Sequence, residues 1–164
     1  MLAIDGRAAP YPFYDVGRKV EAVGGEDRLV DRGCAMINYG FTKELAASFE
    51  HVKESAIAEL KKEGFGILTE IDVRAKFKEK LGIEFKNYVI LGACHPPSAH
   101  KAILAEENIG LLLPCNVIVY EKGSKTVISV IRPTVAMQVI GNPELEPLGK
   151  FIEAKLKAAF DAVA

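Results

Sequence analysis

Three apolar, β-rich runs crowd into the second half of the chain, at residues 88–93, 111–120 and 126–131. The last two are joined by Glu121-Lys122-Gly123-Ser124-Lys125, a Gly-containing loop of hairpin length. Runs this apolar need cover, and the chain supplies it on both sides. Before them, Leu45, Phe49, Val52, Ala56 and Leu60 recur at steps of three and four, as on one face of a helix. After them, Leu148, Phe151, Ile152, Leu156, Ala159, Phe160 and Val163 make a longer stripe of the same kind. Strands clustered between two long amphipathic helices predict an α+β domain, with an antiparallel sheet covered on one side.

Taken in order, residues 1–33 are rich in Gly, Pro and mixed charge and offer few apolar anchors. They read as an irregular arm over 1–35, with a short hairpin on Gly24-Gly25 as the alternative. A single domain then spans 36–164. Ile37, Tyr39 and Phe41 alternate against Asn38 and Gly40 as in a half-buried strand, and Thr42 is placed to cap the first helix. Lys61 and Lys62 suit that helix's negative end, and Gly64 its left-handed stop. Ile67, Thr69, Ile71 and Val73 alternate with Leu68, Glu70 and Asp72, which predicts a strand with one acidic, solvated face. Residues 74–81 read as a helix of about two turns ended by Gly82.

Pro96 and Pro97 stop the strand at 88–93 and open a helix over 98–107, closed by Asn108 and Gly110. Pro133 ends the strand at 126–131 and opens a short turn through Met137 to Ile140. Two prolines compete to start the last helix. Pro147 is favoured, because inside a helix begun at Pro143 it would cost a hydrogen bond.

Charge narrows the partners. Lys and Arg number 21 against 22 Asp and Glu, so no positive field exists to hold a phosphate backbone, and nucleic acid is not expected. The amino terminus has neither a basic start nor an apolar run of signal length, and no segment is long and apolar enough to span a bilayer. The expectation is therefore a cytoplasmic protein without a membrane partner, whose three cysteines stay reduced.

The residues with chemistry gather in 88–120. Cys94, His95, His100 and Cys115 are of types that bind zinc, haem or copper, but lack the paired Cys-x-x-Cys spacing of a structural zinc site. Cys115 shares its strand parity with Leu111, Leu113, Val117 and Val119, which makes plain core a competing role. A redox or nucleophilic thiol is the third. No Gly-x-Ser-x-Gly elbow is present, and His51 falls on the charged side of the first helix. Gly64-x-Gly66 precedes a strand and lacks the Lys and helix of a phosphate loop. The residues name neither a cofactor nor a reaction.

Several motifs in order carry a resemblance: Gly64-Phe65-Gly66-Ile67-Leu68-Thr69-Glu70-Ile71-Asp72-Val73, Lys80-Leu81-Gly82, Tyr88-Val89-Ile90-Leu91-Gly92-Ala93-Cys94 with Pro96, and Gly110-Leu111-Leu112-Leu113-Pro114-Cys115-Asn116-Val117. Residues 36–164 thereby resemble the domain of unknown function 302 family. The resemblance implies a TATA-binding-protein-like fold, a curved antiparallel sheet packed on one face by the two long helices, and no established activity. His95 stands where the family has Asn, a departure that counts against a ligand role requiring imidazole. The implied antiparallel sheet brings the end of the strand at Cys94 beside the start of the strand at Cys115, close enough to share a ligand without being bonded.

The candidate ligand-binding residues are Cys94, His95, Cys115 and Asn116, and the candidate metal ligands are Cys94, His95 and Cys115. Two roles follow, a small-molecule or metal-binding module, or a structural or regulatory homodimer that pairs its open sheet edges.

Overall fold

A computed structural model describes residues 39–164. The arm expected over 1–35, its Gly24-Gly25 alternative and Cys34 lie outside the described residues. The described elements run β1 (Gly40–Leu45), α1 (Phe49–Lys62), β2 (Gly66–Asp72), α2 (Val73–Leu81), β3 (Tyr88–Cys94), α3 (Pro96–Ala105), β4 (Cys115–Lys122), β5 (Lys125–Ile131), α4 (Pro133–Gln138) and α5 (Glu146–Ala162). The strands form one sheet in the order β1-β5-β4-β3-β2. Every neighbouring pair is antiparallel, as the α+β reading requires.

Period-two alternation sets the two faces of this sheet. Val89, Leu91 and Ala93 of β3, Val117 and Val119 of β4, and Ile128 and Val130 of β5 share one face. They bury against Val52, Ala56 and Leu60 of α1 and Ile152, Leu156, Ala159 and Phe160 of α5. At roughly 1.5–3 kcal/mol for each fully buried Val or Leu, this layer is the main source of stability. A second, smaller cluster of Ala102, Ile109 and Leu145 packs with Leu113, Met137 and Leu148. It ties α3 and the connection into β4 to α4 and the start of α5.

The other sheet face is not bare. Phe77 of α2 meets Phe85 edge-on, Phe85 leans on Tyr88, and Tyr88 stacks on Tyr120 at 5.3 Å between ring centres. These rings continue from α2 on to the face opposite Val89 and Val119.

Three expectations need correction. The first helix is capped by Ser48, whose Oγ accepts from the His51 N–H, so Thr42 and Leu45 belong to β1 instead. Thr42 hydrogen-bonds Ser129 across the β1–β5 pair. Leu111 to Leu113 do not extend β4: the residues Glu107–Leu112 form a 3₁₀ turn, the Leu113–Pro114 peptide is cis, and Leu111 is 88% exposed. Pro114 has no N–H to donate to a ladder, so pairing begins at Cys115. Val73 opens α2 rather than continuing β2, because the Asp72 carboxylate caps the Ala75 N–H.

β2 also carries a bulge between Ile67 and Thr69 that leaves Leu68 unpaired. Glu70, which stays exposed, pairs with Lys53 of α1 at 3.4 Å. The expected later start of the last helix holds, with Pro147 in the first turn of α5.

α4 is held by one carboxylate. Glu153 of α5 accepts from Arg132 Nε and an Arg132 terminal nitrogen at 3.1 and 3.0 Å on one oxygen, and from the Thr134 N–H at 3.0 Å and the Thr134 hydroxyl on the other. Burial works against its charge, but the Thr134 and Arg132 hydrogen bonds outweigh it and hold its pKa below the ordinary range. A carboxylate with a lowered folded pKa contributes stability above the unfolded value, about 4.3, and that contribution is lost as pH falls through the folded value. Glu153→Gln is therefore expected to lose roughly 1.5–3 kcal/mol in urea unfolding at pH 7. The gap to wild type should close as pH falls below about 4. A gap that stays constant with pH would assign the effect to packing.

Candidate functional site

The site forms where β3 ends. Pro96 and Pro97 lack the N–H groups to extend a ladder but suit the first turn of a helix, so the chain turns directly from Cys94 through His95 into α3. The His95 carbonyl accepts from the Ser98 and Ala99 N–H groups, both at 3.0 Å. His95 Nδ1 and the buried Ser98 hydroxyl are 3.0 Å apart, which fixes the ring. Phe65 and Phe151 then grip the imidazole edge-on from two sides, with ring centres at 5.6 and 5.9 Å. Gly64, in a left-handed conformation at φ 86°, lies beneath the ring. A Cβ there would stand 3.2 Å from His95 Cδ2 and 3.3 Å from Nε2.

The antiparallel pairing of β3 and β4 sets Ala93 opposite Cys115. With about 5 Å across a pair and about 3.8 Å to the next residue, the Cα atoms of Cys94 and Cys115 lie within about 9 Å. Both are free thiols, half-buried. Together with His95, Ser98, Phe65 and Met137 they line a cavity of about 30 Å³. Its other walls come from both apolar clusters, Ala93 and Ile152 from the larger, Ala102, Leu113 and Leu148 from the smaller. The cavity is the seam between them.

Three of the four expected site residues thus converge on one cavity. The fourth, Asn116, is exposed and pairs with Gly92 on the opposite face of the sheet. Gly92 leaves room there, since a Cβ would come 2.7 Å from Pro114 Cγ. His100 is exposed on α3, and His51 on α1. Sequence reasoning missed Ser98, Phe65, Phe151 and Met137. Ser98 left a faint signal three residues after a helix-opening His95-Pro96; the other three are brought in by tertiary packing.

Size and polarity restrict what the cavity can take. Drug-sized ligands fill roughly 300–1,000 Å³, whereas 30 Å³ admits about one or two water-sized groups and has no room for haem or an organic cofactor. Burial pushes the Cys115 thiol up to about 11, with the adjacent Cys94 adding to the rise, and burial raises Cys94 as well. Both are protonated at neutral pH, and a neutral thiol is a poor nucleophile. Among the described residues no three His, Cys, Asp or Glu side chains are grouped to hold a metal ion.

The chemistry of the thiols is directly measurable. In a Cys34→Ser background, a thiol reagent at pH 7 is expected to label Cys94 slowly and Cys115 more slowly still, with both rates rising as pH passes 9. Labelling of both at the rate of a free cysteine at pH 7 would contradict the raised pKa values.

Residues 41–163 match the family described as Domain of unknown function DUF302. The chain is also similar to the crystal structure of an uncharacterized conserved DUF302 protein from Bacillus stearothermophilus. Identity is 30% and the TM-score 0.72, with 79% of this chain and 100% of that one covered. No curated protein matches the chain. Among the described residues no helix is long and apolar enough to cross a membrane.

Proposed function

The chain belongs to the DUF302 family of domains of unknown function, and from the chemistry of its own pocket we propose that it holds one soft metal ion through Cys94 and Cys115. The observation that carries this reading is a pair of free thiols on one cavity too small for an organic ligand but large enough for a bare ion. Thiolates are the protein ligands that select soft ions such as Cu(I). Binding breaks two S–H bonds and forms two S–metal bonds, and both protons leave to solvent, so affinity rises with pH. His95 supports the site from the side, since its Nδ1 is engaged by Ser98 and its Nε2 edge lies over Gly64. The reaction is capture and release of the ion, with no covalent chemistry on a substrate.

Titration of the reduced Cys34→Ser protein with Cu(I), against a chromophoric chelator of known affinity, tests this. One ion per chain is expected, with a thiolate-to-metal charge-transfer band in the ultraviolet. Cys94→Ser and Cys115→Ser should each abolish the band, while Asn116→Ala, on the far face, should retain it. Binding by the Cys94→Ser/Cys115→Ser protein as tight as that of the parent would overturn the reading.

A second reading, a homodimer that pairs sheet edges, is favoured by one observation. β2 is an edge strand exposed along nearly its whole length, with Leu68 63% and Ile71 43% exposed. Unpaired edges are ready templates for a second copy. Light scattering at micromolar concentration is expected to give the mass of two chains, and Leu68→Lys to return it to one. A single-chain mass for the parent over a hundredfold range of concentration removes this reading without touching the metal site.

A further inference from the structure

Resting on the homodimer reading, we propose that the second copy is held by the apolar stripe of α2 and the loop that follows it, so that two such stripes meet at the centre of the interface. α2 is well terminated. The Asp72 carboxylate accepts from the Ala75 N–H at its start, and at its end the Gly82 and Ile83 N–H groups donate to the Lys78 and Phe77 carbonyls. Yet none of its nine residues is buried. A helix this short does not hold itself together in water, so its stability has to come from packing of an apolar face. That face is present and uncovered. Phe77 and Leu81 stand one turn apart, the chain reverses through Gly82 at φ 67°, and Phe85 returns to meet the Phe77 ring. Phe77, Leu81, Ile83 and Phe85 are all between 36% and 42% exposed.

The patch continues on to the sheet. Tyr88, which Phe85 touches, shares a strand face with Ile90, and the register sets Ile71 opposite Ile90. α1 and α5 cover the opposite face. With Leu68 and Ile71 added, six large side chains at roughly 200 Å² each leave on the order of 500 Å² exposed. A stable interface buries about 800 Å² on each partner, roughly 60% of it apolar, so the patch supplies about what one side of a dimer needs. The bulge at Leu68 interrupts β2, which keeps main-chain pairing along this edge short and leaves the side chains to carry the contact.

A second copy fits this surface. It brings the same patch and the same edge, and a two-fold axis beside β2 sets them together as one self-complementary contact. The charges around the stripe pair within the chain: Lys76 with Glu79 at 2.9 Å, Lys80 with Glu79 at 2.7 Å, and Lys78 with Glu84. Docking covers the apolar residues and leaves these rim pairs intact.

The test uses the full chain under reducing conditions. Light scattering over a hundredfold range of concentration gives the mass, and hydrogen exchange on the same samples reads α2. As the mass passes from one chain to two, exchange of the α2 amides is expected to slow at least about tenfold, because a helix that buries nothing opens readily until it is covered. Leu81→Glu and Ile83→Glu should each weaken association at least about thirtyfold, while Leu104→Glu, exposed on α3, should associate as the parent does. A parent whose mass doubles with no change in α2 exchange, or dimers that survive both Leu81→Glu and Ile83→Glu, overturn the role of α2 and leave edge pairing standing. Loss of the dimer in Leu104→Glu places the contact elsewhere and overturns it as well. A parent of single-chain mass throughout overturns both readings, and α2 amides already slow in that monomer assign the cover of the patch to the chain itself.

Discussion

The register between β3 and β4 is the constraint on which both the core and the site depend. With Ala93 opposite Cys115, and Leu91 opposite Val117, the two central strands turn one shared row of side chains toward α1 and α5. The same pairing makes the end of β3 coincide with the start of β4. A slip of one residue would send Val117 and Val119 to the far face and lose the central part of the core, so the register is strongly held. The nearness of the Cys94 and Cys115 backbones is therefore a consequence of core packing and needs no interaction of its own.

What lies around the thiols explains why they stay protonated. The cavity sits between two apolar clusters that were free to close over it, yet a small void persists at their seam. An apolar void of this size costs dispersion contacts on every wall, and it gains nothing from water unless polar groups line it. Its few polar groups are engaged: Ser98 with His95 Nδ1, and His95 between two phenyl rings. Both thiols are neutral for the same reason, since burial opposes their ionisation.

Much of the fold was legible because it rests on local patterns. The α1 stripe of Val52, Ala56 and Leu60, the left-handed stops at Gly64 and Gly82, the hairpin at Gly123 and the choice of Pro147 over Pro143 all follow from period, φ and the missing proline N–H. The misreadings occur where two local signals compete. Thr42 and Ser48 are both fit to cap, and cross-strand pairing of Thr42 with Ser129 decides for Ser48. Leu111-Leu112-Leu113 is apolar enough for a strand, but Pro114 cannot join the ladder. The site was legible as strand ends, through Cys94, His95 and Cys115. Parity alone already separates Asn116 from Cys115, since adjacent residues on a strand point to opposite faces. Phe151, which meets His95, and Met137, on the cavity wall, come from elements more than twenty residues away, and no local pattern foretells that a helix will carry them there.

The position of Met137 illustrates how a distant element acts on the pocket. α4 has six residues, far below the length at which a helix holds itself together in water. It is fixed by what α5 offers it: the Glu153 carboxylate at the Thr134 N–H and hydroxyl, and the bare backbone of Gly149 beside Met137. Glu153 and Gly149 are four residues apart, so they lie on one face of α5 and grip α4 at successive turns. Ile152, on the same side of α5, reaches the thiol cavity and the main core at once. A single helix therefore sets the core, orients α4 and closes the cavity wall. A change that shifts α5 along its axis reaches the cavity wall through Met137 and Ile152 even when β3 and β4 stay in register.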